Sequence, residues 1–258
     1  MNMRTVVIVQ ARMGSSRLPG KVLQDLGGKT VLRRVLERCA VIKGVDCVCC
    51  AIPSGEENEP VAAEADCCGA IVKRGSETDV LDRYYQAALE LRASFIMRVT
   101  SDCPLLDPDI ATEVLELVTQ DGADYACNNM PPSWPHGLDC EAFRYEWLER
   151  AAHEAVLSSE REHVTPFIRK HPAVHKLVLN GPGDDIARHR WTLDTEQDLV
   201  FLKVLFERMP EGRPSYTYRC PLAIVENDPK LQALNGGQDR HAGLGGSRMR
   251  DTRFQKCR

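Results

Sequence analysis

"VVIVQARMGSSRLPGKVL", residues 6–23, joins an apolar run to a loop with two glycines that closes on Gly20-Lys21. Val6–Val9 reads as a buried strand, and the loop behind it has the chemistry of a phosphate site. It is not a Walker loop, which needs Gly, four residues and then Gly-Lys-Ser/Thr. Counting back from Gly20 puts Ser15 where the first glycine belongs, and Val22 stands where a magnesium-binding hydroxyl belongs. Gly28-Lys29-Thr30 fails as well, because Leu23 takes its first position. What remains is Gly14 and Gly20, which let backbone approach a ligand closely, and Arg12, Arg17 and Lys21, three cations with no acid between them. A triphosphate fits such a loop. A solvated basic turn is the plainer alternative.

Outward from this strand, apolar runs alternate with helical periodicity. TVLRRVLERCAVI predicts a helix with Val31, Leu32, Val35, Leu36 and Cys39 on its apolar face. VDCVCCAI predicts a second strand, ENEPVAAEADCC a helix, GAIVKRG a third strand and DVLDRYYQAALELR a helix. FIMRVT predicts a fourth strand, and PDIATEVLELVTQ a helix opened by proline. This β-α-β-α order predicts an α/β fold, a parallel sheet with helices on both faces. DYACNNMPPSWPHGLDCEAFRYEWL reads as a loop or short antiparallel excursion that covers a cleft. Helices near 145–156 and 160–170, strands VHKLVLN and HRWTLD, and the helix EQDLVFLKVLFERM follow. From Gly236 periodicity is lost and Gly and Arg dominate. The expected division is one domain over 1–235 and a mobile, disordered tail over 236–258.

Composition narrows the class. A chain of 258 residues, 43 % hydrophobic, has enough apolar matter for a sizeable core. Its formal charge of −4 provides no global basic field, so nucleic acid is not an expected partner. No apolar run is long enough to span or insert into a membrane. The N-terminal MNMRTVVIVQAR lacks a small-residue cleavage site, so it reads as a first strand rather than a signal peptide. Eleven cysteines, an odd number without regular spacing, argue against a disulfide framework, and the expected location is cytoplasmic. Cys47-x-Cys49-Cys50 lies inside an apolar run with no second ligand pair, so these thiols are expected to pack as core.

In open parallel α/β sheets, ligands sit beyond the carboxyl ends of the strands, and four polar clusters lie there. The first is the loop Arg12–Lys21. The second, RVTSDCPLLDPD, puts Asp102 at a strand end, where a carboxylate can ligate magnesium; Asp107, before Pro108, is the better helix cap. The third, RWTLDTEQDL, puts Asp194 at a strand end, although Asp194 or Thr195 is also a candidate N-cap. Two strand-end aspartates that face a basic loop suit pyrophosphate and its metal. The fourth, RGSETDVLDRY, is dense in hydrogen-bonding groups: Arg74, Ser76, Asp79, Asp82 and Arg83 could read a base and ribose or a second substrate, or simply cap the next helix. The chain has no HExxH, no Gly-x-Ser-x-Gly and no GxGxxG motif.

QARMGSSRLPGKVL, RGSETDVLDRYYQAA, RVTSDCPLLDP, PHGLDCEAF, REHVTPFI and RWTLDTEQDL span residues 6 to about 200. In this order they resemble the sugar-acid cytidylyltransferases, above all the family of spore coat polysaccharide biosynthesis protein F. That family is similar to the synthetases that activate 3-deoxy-manno-octulosonic acid and N-acetylneuraminic acid. The resemblance implies a nucleotide-diphospho-sugar transferase (GT-A-like) fold with a mostly parallel mixed sheet. It implies CTP as donor, a sugar acid as acceptor, Mg2+ as cofactor, and a CMP-linked sugar acid and pyrophosphate as products. It also implies a homodimer and a place in surface polysaccharide or glycoconjugate biosynthesis.

Carried over position by position, the resemblance implies that Arg12 and Lys21 grip the CTP phosphates and, with Asp102, are catalytic. Ala11, Gly14, Ser15 and Arg17 share that nucleotide loop, and Arg74 and Ser76 lie near the nucleotide. Asp102 and Asp194 would hold the metal. Asp79, Asp82, Arg83, His136, Asp139, Glu141 and His163, with Glu162, would face the acceptor. Two other readings stay open: a nucleotidyltransferase that uses another NTP or a phosphorylated small molecule, and a non-catalytic nucleotide-sugar-binding protein. The presence together of Arg12, Lys21, Asp102 and Asp194 argues against the latter.

Overall fold

The computed structural model describes residues 3–210, 216–235 and 251–254. Its first half follows the order read from the sequence: β1 (Thr5–Gln10), α1 (Val31–Cys39), β2 (Cys47–Pro53), α2 (Glu59–Cys67), β3 (Ile71–Gly75), α3 (Val80–Glu90), β4 (Phe95–Thr100) and α4 (Pro108–Thr119). The second half comprises β5 (Tyr125–Cys127), β6 (Glu141–Arg144), α5 (Tyr145–Glu154), α6 (Ser158–His163), α7 (Pro166–Lys170), β7 (Lys176–Val178), α8 (Asp184–Ala187), α9 (Glu196–Arg208), α10 (Arg219–Glu226) and α11 (Pro229–Ala233).

Seven strands form one sheet in the order β3-β2-β1-β4-β6-β5-β7. β1, β2, β3 and β4 are parallel, and β6 runs antiparallel to both its neighbours, β4 and β5. The sheet is therefore mixed and mostly parallel, with helices on both faces. Val6, Val7, Ile8 and Val9 are all fully buried, the expected state of a central parallel strand covered on both sides. One face packs against α1, α2 and α4 through residues such as Leu36, Val61 and Val114. The other packs against α3, α5 and α7 through Tyr84, Leu148 and Ile168. A third apolar cluster, around Trp191, Phe201 and Leu205, seats α9 against the loop segments beside the sheet.

Three expectations change. The segment 124–148 is not only a cover. It contributes β5 and β6, and β6 sits well inside the sheet, against β4. Its short length and its prolines mask that placement. HRWTLD is extended but joins no sheet strand. Its backbone bonds to His136 and Asp102: Trp191 N–H donates to His136 O at 2.6 Å, and Leu193 N–H to Asp102 O at 2.9 Å. Gly137 makes this approach possible, because its φ is 112° and a Cβ there would meet the Trp191 carbonyl carbon at 2.6 Å. The third change concerns the chain end. Most of the stretch expected as a mobile tail lies outside the described residues, but 251–254 pack beside α6. Asp251 accepts hydrogen bonds from Ser159 N–H (2.9 Å) and Ser159 Oγ (2.8 Å), and Phe254 N–H donates to Val156 O (2.8 Å).

The cysteines of VDCVCCAI pack as expected, with Cys49 and Cys50 fully buried and free. Among the described residues no helix is long and apolar enough to cross a membrane.

Candidate active site

β1 pairs with β4 in a register that sets Gln10 opposite Thr100, so the chain leaves both strands at the same edge. The glycine loop emerges from β1 and the turn bearing Asp102 emerges from β4. Strand order reverses between these two strands, which is where α/β sheets bind ligands. Gly20 adopts a left-handed conformation (φ 67°), its N–H bonds to Met13 O at 3.0 Å, and Lys21 opens a short 3-10 turn directly behind it. That fold of the loop aims Lys21 across the strand ends.

Lys21 Nζ donates to Asp102 Oδ2 at 2.9 Å, to Asp194 Oδ1 at 3.0 Å and to Leu193 O at 2.7 Å. One loop cation thus joins two carboxylates 92 residues apart in the chain (194 − 102). Burial works against the Lys21 ammonium, but Asp102 and Asp194 outweigh it and hold its pKa above the ordinary value. Burial likewise penalises the Asp102 carboxylate, and Lys21 outweighs it, so that its pKa falls well below the usual range. Arg17 joins from the same loop, with Nη2 2.9 Å from Asp194 Oδ1.

Asp194 does not cap α9. Thr195 Oγ1 accepts from Asp198 N–H at 3.3 Å, and Asp198 Oδ2 accepts from the N–H groups of Asp194 (2.9 Å) and Thr195 (3.0 Å). The Asp194 carboxylate is left to the cations, with Arg190 Nη2 3.1 Å from its Oδ2. Arg190 also grips buried Asp198 with two hydrogen bonds and contacts His136 Nδ1 at 3.2 Å. His136 Nε2 lies 3.6 Å from Asp139 Oδ2. His136 and Asp139 therefore stand on the rim of the Lys21 cluster.

The other expected site residues divide. Ala11 is buried and bonds through its backbone to Ala51 O. Arg12 is about half exposed and lies 3.8 Å from Glu77, a loose surface pair that leaves it able to turn elsewhere. Gly14 faces the same Glu77, so the loops after β1 and β3 are neighbours. Ser15 Oγ accepts from Leu18 N–H at 3.4 Å within the loop. Ser76 Oγ accepts from Asp79 N–H at 3.0 Å. Arg74 is not brought to the Lys21 cluster. It pairs with Glu59 at 2.9 Å on the outer edge of the sheet, in a surface groove of about 480 Å³ that Lys73 and Glu90 also line.

Asp79 takes a structural position. It is the N-cap of α3, accepting from Asp82 N–H at 3.0 Å, and it is gripped through both oxygens by fully buried Arg161. Asp82 lies one turn into α3 beside Gln86, and Arg83 is buried and holds the Ser76 carbonyl at 2.7 Å.

Glu141 sits at the start of β6 as the centre of a buried cluster. It accepts from Arg98 Nη1 (2.6 Å), Tyr125 OH (2.5 Å) and Thr165 Oγ1 (2.7 Å), with Arg169 at 3.9 Å. Burial opposes its charge, but Arg98, Arg169 and the hydroxyls bring its pKa down to about 2. His163, at the end of α6, has its pKa lowered, first by burial and then by Arg98 and Arg169, against the opposing pull of Glu162. Glu162 lies 3.9 Å from it on the exposed side.

Sequence reasoning did not single out Arg98, Arg161, Arg169, Arg190 or Asp198. Arg98, Arg161, Arg190 and Asp198 lie inside the quoted motifs, but periodicity carries no signal for a side chain whose partner is distant in sequence.

The cytidylyltransferase family model matches residues 6–207. The chain is 32% identical over 229 residues to spore coat polysaccharide biosynthesis protein SpsF of Bacillus subtilis, covering 86% of this chain and 94% of that one. It is 34% identical over 125 residues to a 3-deoxy-manno-octulosonate cytidylyltransferase of Anaeromyxobacter, a match to 48% of this chain and 50% of that one. Among solved structures, a cytidylyltransferase from Leptospira borgpetersenii superposes with a TM-score of 0.85 at 27% identity, covering 92% of this chain and all of that one. With the parallel core, the glycine loop and its two facing aspartates in place, the chain belongs to the cytidylyltransferase family.

Proposed function

We propose that the protein transfers CMP from CTP to a hydroxyl of a sugar acid and releases pyrophosphate. The observation that carries this reading is the junction of Lys21 with Asp102 and Asp194, in a chain of the cytidylyltransferase family. The names of the relatives, a spore coat polysaccharide protein and octulosonate cytidylyltransferases, support a sugar acid as acceptor and surface polysaccharide as the destination.

Asp102 and Asp194 each bring a carboxylate oxygen to within 3.0 Å of one point, a hard donor pair that fits a divalent cation such as Mg2+. When bound, that cation would supply positive charge to offset the negative charge that develops as the leaving group departs. The chain's own groups supply the rest. Lys21, Arg17 and Arg12 face the triphosphate from the glycine loop and stabilise the negative charge that builds on pyrophosphate. Arg190 orients Asp194 while Asp198 orients Arg190. On the acceptor side, two guanidinium groups, Arg98 and Arg169, share the single carboxylate of Glu141, and the positive charge in excess suits a sugar carboxylate. In this reading His163, with Glu162, His136 and Asp139, hydrogen-bonds sugar hydroxyls. Ser76 lines the neighbouring loop, where a base and ribose would lie. The ten free cysteines among the described residues suit a reducing cytoplasm, where we assign the enzyme; its assignment as a homodimer rests on the family resemblance alone.

The test is pyrophosphate release across CTP, UTP, ATP and GTP, each with a panel of sugar acids and Mg2+. Release is expected with CTP alone and only with an acceptor present. Turnover with another nucleotide, or only with a phosphorylated acceptor, would overturn the reading. CTP binding without turnover on any acceptor would favour a binding protein.

A further inference from the structure

We infer that Lys21 holds, between the two aspartates, the place a divalent cation takes when nucleotide arrives, so that metal and nucleotide bind as one unit. The inference rests on the assignment of Asp102 and Asp194 as the metal's ligands. A lysine ammonium has three donors, and Lys21 directs them at Asp102, Asp194 and the Leu193 carbonyl. Its side chain is only 13% exposed. The oxygen that Asp194 offers Lys21 is shared with Arg17, and its other oxygen is bound to Arg190. The carboxylates are thus already balanced by the protein's own cations. A divalent cation entering beside an unmoved ammonium would meet direct repulsion at close range.

A second observation points the same way. Among the described residues no group of three or more His, Cys, Asp or Glu side chains is arranged to hold a metal. Two carboxylates are a partial ligand set, since hard cations take about six or more oxygens. The phosphates of the nucleotide supply the missing ones. They also give Lys21 somewhere to go. Its flexible stem starts directly after Gly20, in the loop that faces the phosphates, and an ammonium exchanges carboxylate for phosphate oxygen readily. Phosphate therefore brings the metal and draws Lys21 away in the same event. By linkage, each ligand then tightens the other by the same factor.

Mn2+ is the probe, with free Mn2+ followed by electron paramagnetic resonance in the presence of the full-length protein. Without nucleotide, Lys21→Met should bind Mn2+ at least about tenfold more tightly than wild type, since the competing charge is gone. Arg17→Ala, which removes a half-exposed competitor, should tighten Mn2+ by about threefold. Adding CTP should tighten Mn2+ on wild type by more than about tenfold, and by clearly less on Lys21→Met. Circular dichroism confirms that each variant is folded; Arg17→Ala carries the test if Lys21→Met is not. Equal Mn2+ affinity in wild type and both variants would overturn the inference. So would wild type binding Mn2+ equally well with and without CTP. In Lys21→Met/Asp102→Asn the gained affinity should vanish, and its persistence would place the ion elsewhere. The nucleotide-free measurements need neither acceptor nor turnover, so they stand apart from the choice of substrate.

Discussion

Asp194→Asn separates a structural role from a chemical one. If Asp194 were the cap of α9, asparagine would serve about as well, because both cap helices comparably. The capping is done elsewhere, by Thr195 and Asp198, and both residues stay intact in the variant. What the substitution removes is a negative charge that three cations share: Lys21 at 3.0 Å, Arg17 at 2.9 Å and Arg190 at 3.1 Å. Each of the two buried cations keeps another partner. Arg190 retains its two-fold grip on Asp198, and Lys21 retains Asp102 and the Leu193 carbonyl. Arg17 is half exposed and loses little. The folding cost should therefore be small, about 1–2 kcal/mol, the scale of one charge-assisted hydrogen bond.

The catalytic cost should be larger. An amide is a poor ligand for a hard cation, and the charge that positions Lys21 is halved. Turnover should fall by about 10²–10³-fold, the scale of losing one preorganised electrostatic group. The assay is Mg2+-dependent pyrophosphate release at saturating CTP, beside a urea unfolding curve. An Asp194→Asn enzyme that keeps more than about a tenth of its turnover would refute the reasoning. Asp102→Asn should behave alike, and the double variant should be little worse than either single one, because both residues act through one centre.

Cys103 is buried beside Asp102, and burial pushes its thiol pKa well up, away from the thiolate that a nucleophile needs; Cys103→Ser should keep most activity, and a loss beyond about a hundredfold would point to a covalent step. Glu141 has its pKa lowered from 4.5 to about 2. Its stabilising contribution is therefore complete above the unfolded value and is lost as pH falls from about 4.5 toward about 2, so Glu141→Gln should be less stable at pH 7 and lose less on acidification, as urea curves at pH 7, 5 and 3 would record. Gly137→Ala sets a Cβ 2.6–2.8 Å from the backbone of Trp191 and Thr192 at a φ of 112°, so it should cost about 2–4 kcal/mol in thermal unfolding and displace His136 from Arg190. Asp251→Ala removes the carboxylate that accepts from Ser159 N–H and Oγ and should speed amide exchange over Ser158–His163 without unfolding the sheet; unchanged exchange there would show that the chain end does not restrain α6.

The parallel core was legible because its signals are local. An apolar strand buried on both faces, a glycine loop and a periodic helix each announce themselves within about a dozen residues. β1 to α4 come out with boundaries shifted by up to three residues, as at α1, which ends at Cys39 rather than Ile42, and at α3, which starts at Val80 rather than Asp79. The second half resisted for a physical reason. β5 has three residues and β6 four, too few to display alternation, and prolines between them read as loop. HRWTLD has a strand's composition, but its backbone makes only an isolated bridge with His136 and one further bond to the Asp102 carbonyl, so it belongs to no ladder. Val164, at φ 69°, breaks what looked like one helix into α6 and α7, and nothing in REHVTPFI marks a left-handed residue there.

The same contrast governs the site. Lys21, Asp102 and Asp194, which the structure brings into contact, were singled out because each follows a strand or an extended run, and open sheets collect such positions at one edge. The rule gives a shared edge, not a partner, and it served Arg74 badly. Arg74 also follows the pattern, on β3, but β3 is the outermost strand, two places from β1, and its side chain turns to Glu59 on α2. Asp79 shows the reverse error. Its capping position was visible, yet its salt bridge to Arg161, 82 residues on, was not, and that buried pair commits the carboxylate to holding α6 on α3. A residue near the end of a strand or extended run thus becomes a candidate for chemistry only if it faces the ends of the central strands and its partners are cations that a ligand can draw away. Asp102 and Asp194 meet both conditions through Lys21 and Arg17, which come from one glycine loop. Asp79 and Glu141 fail the second, since buried arginines hold them.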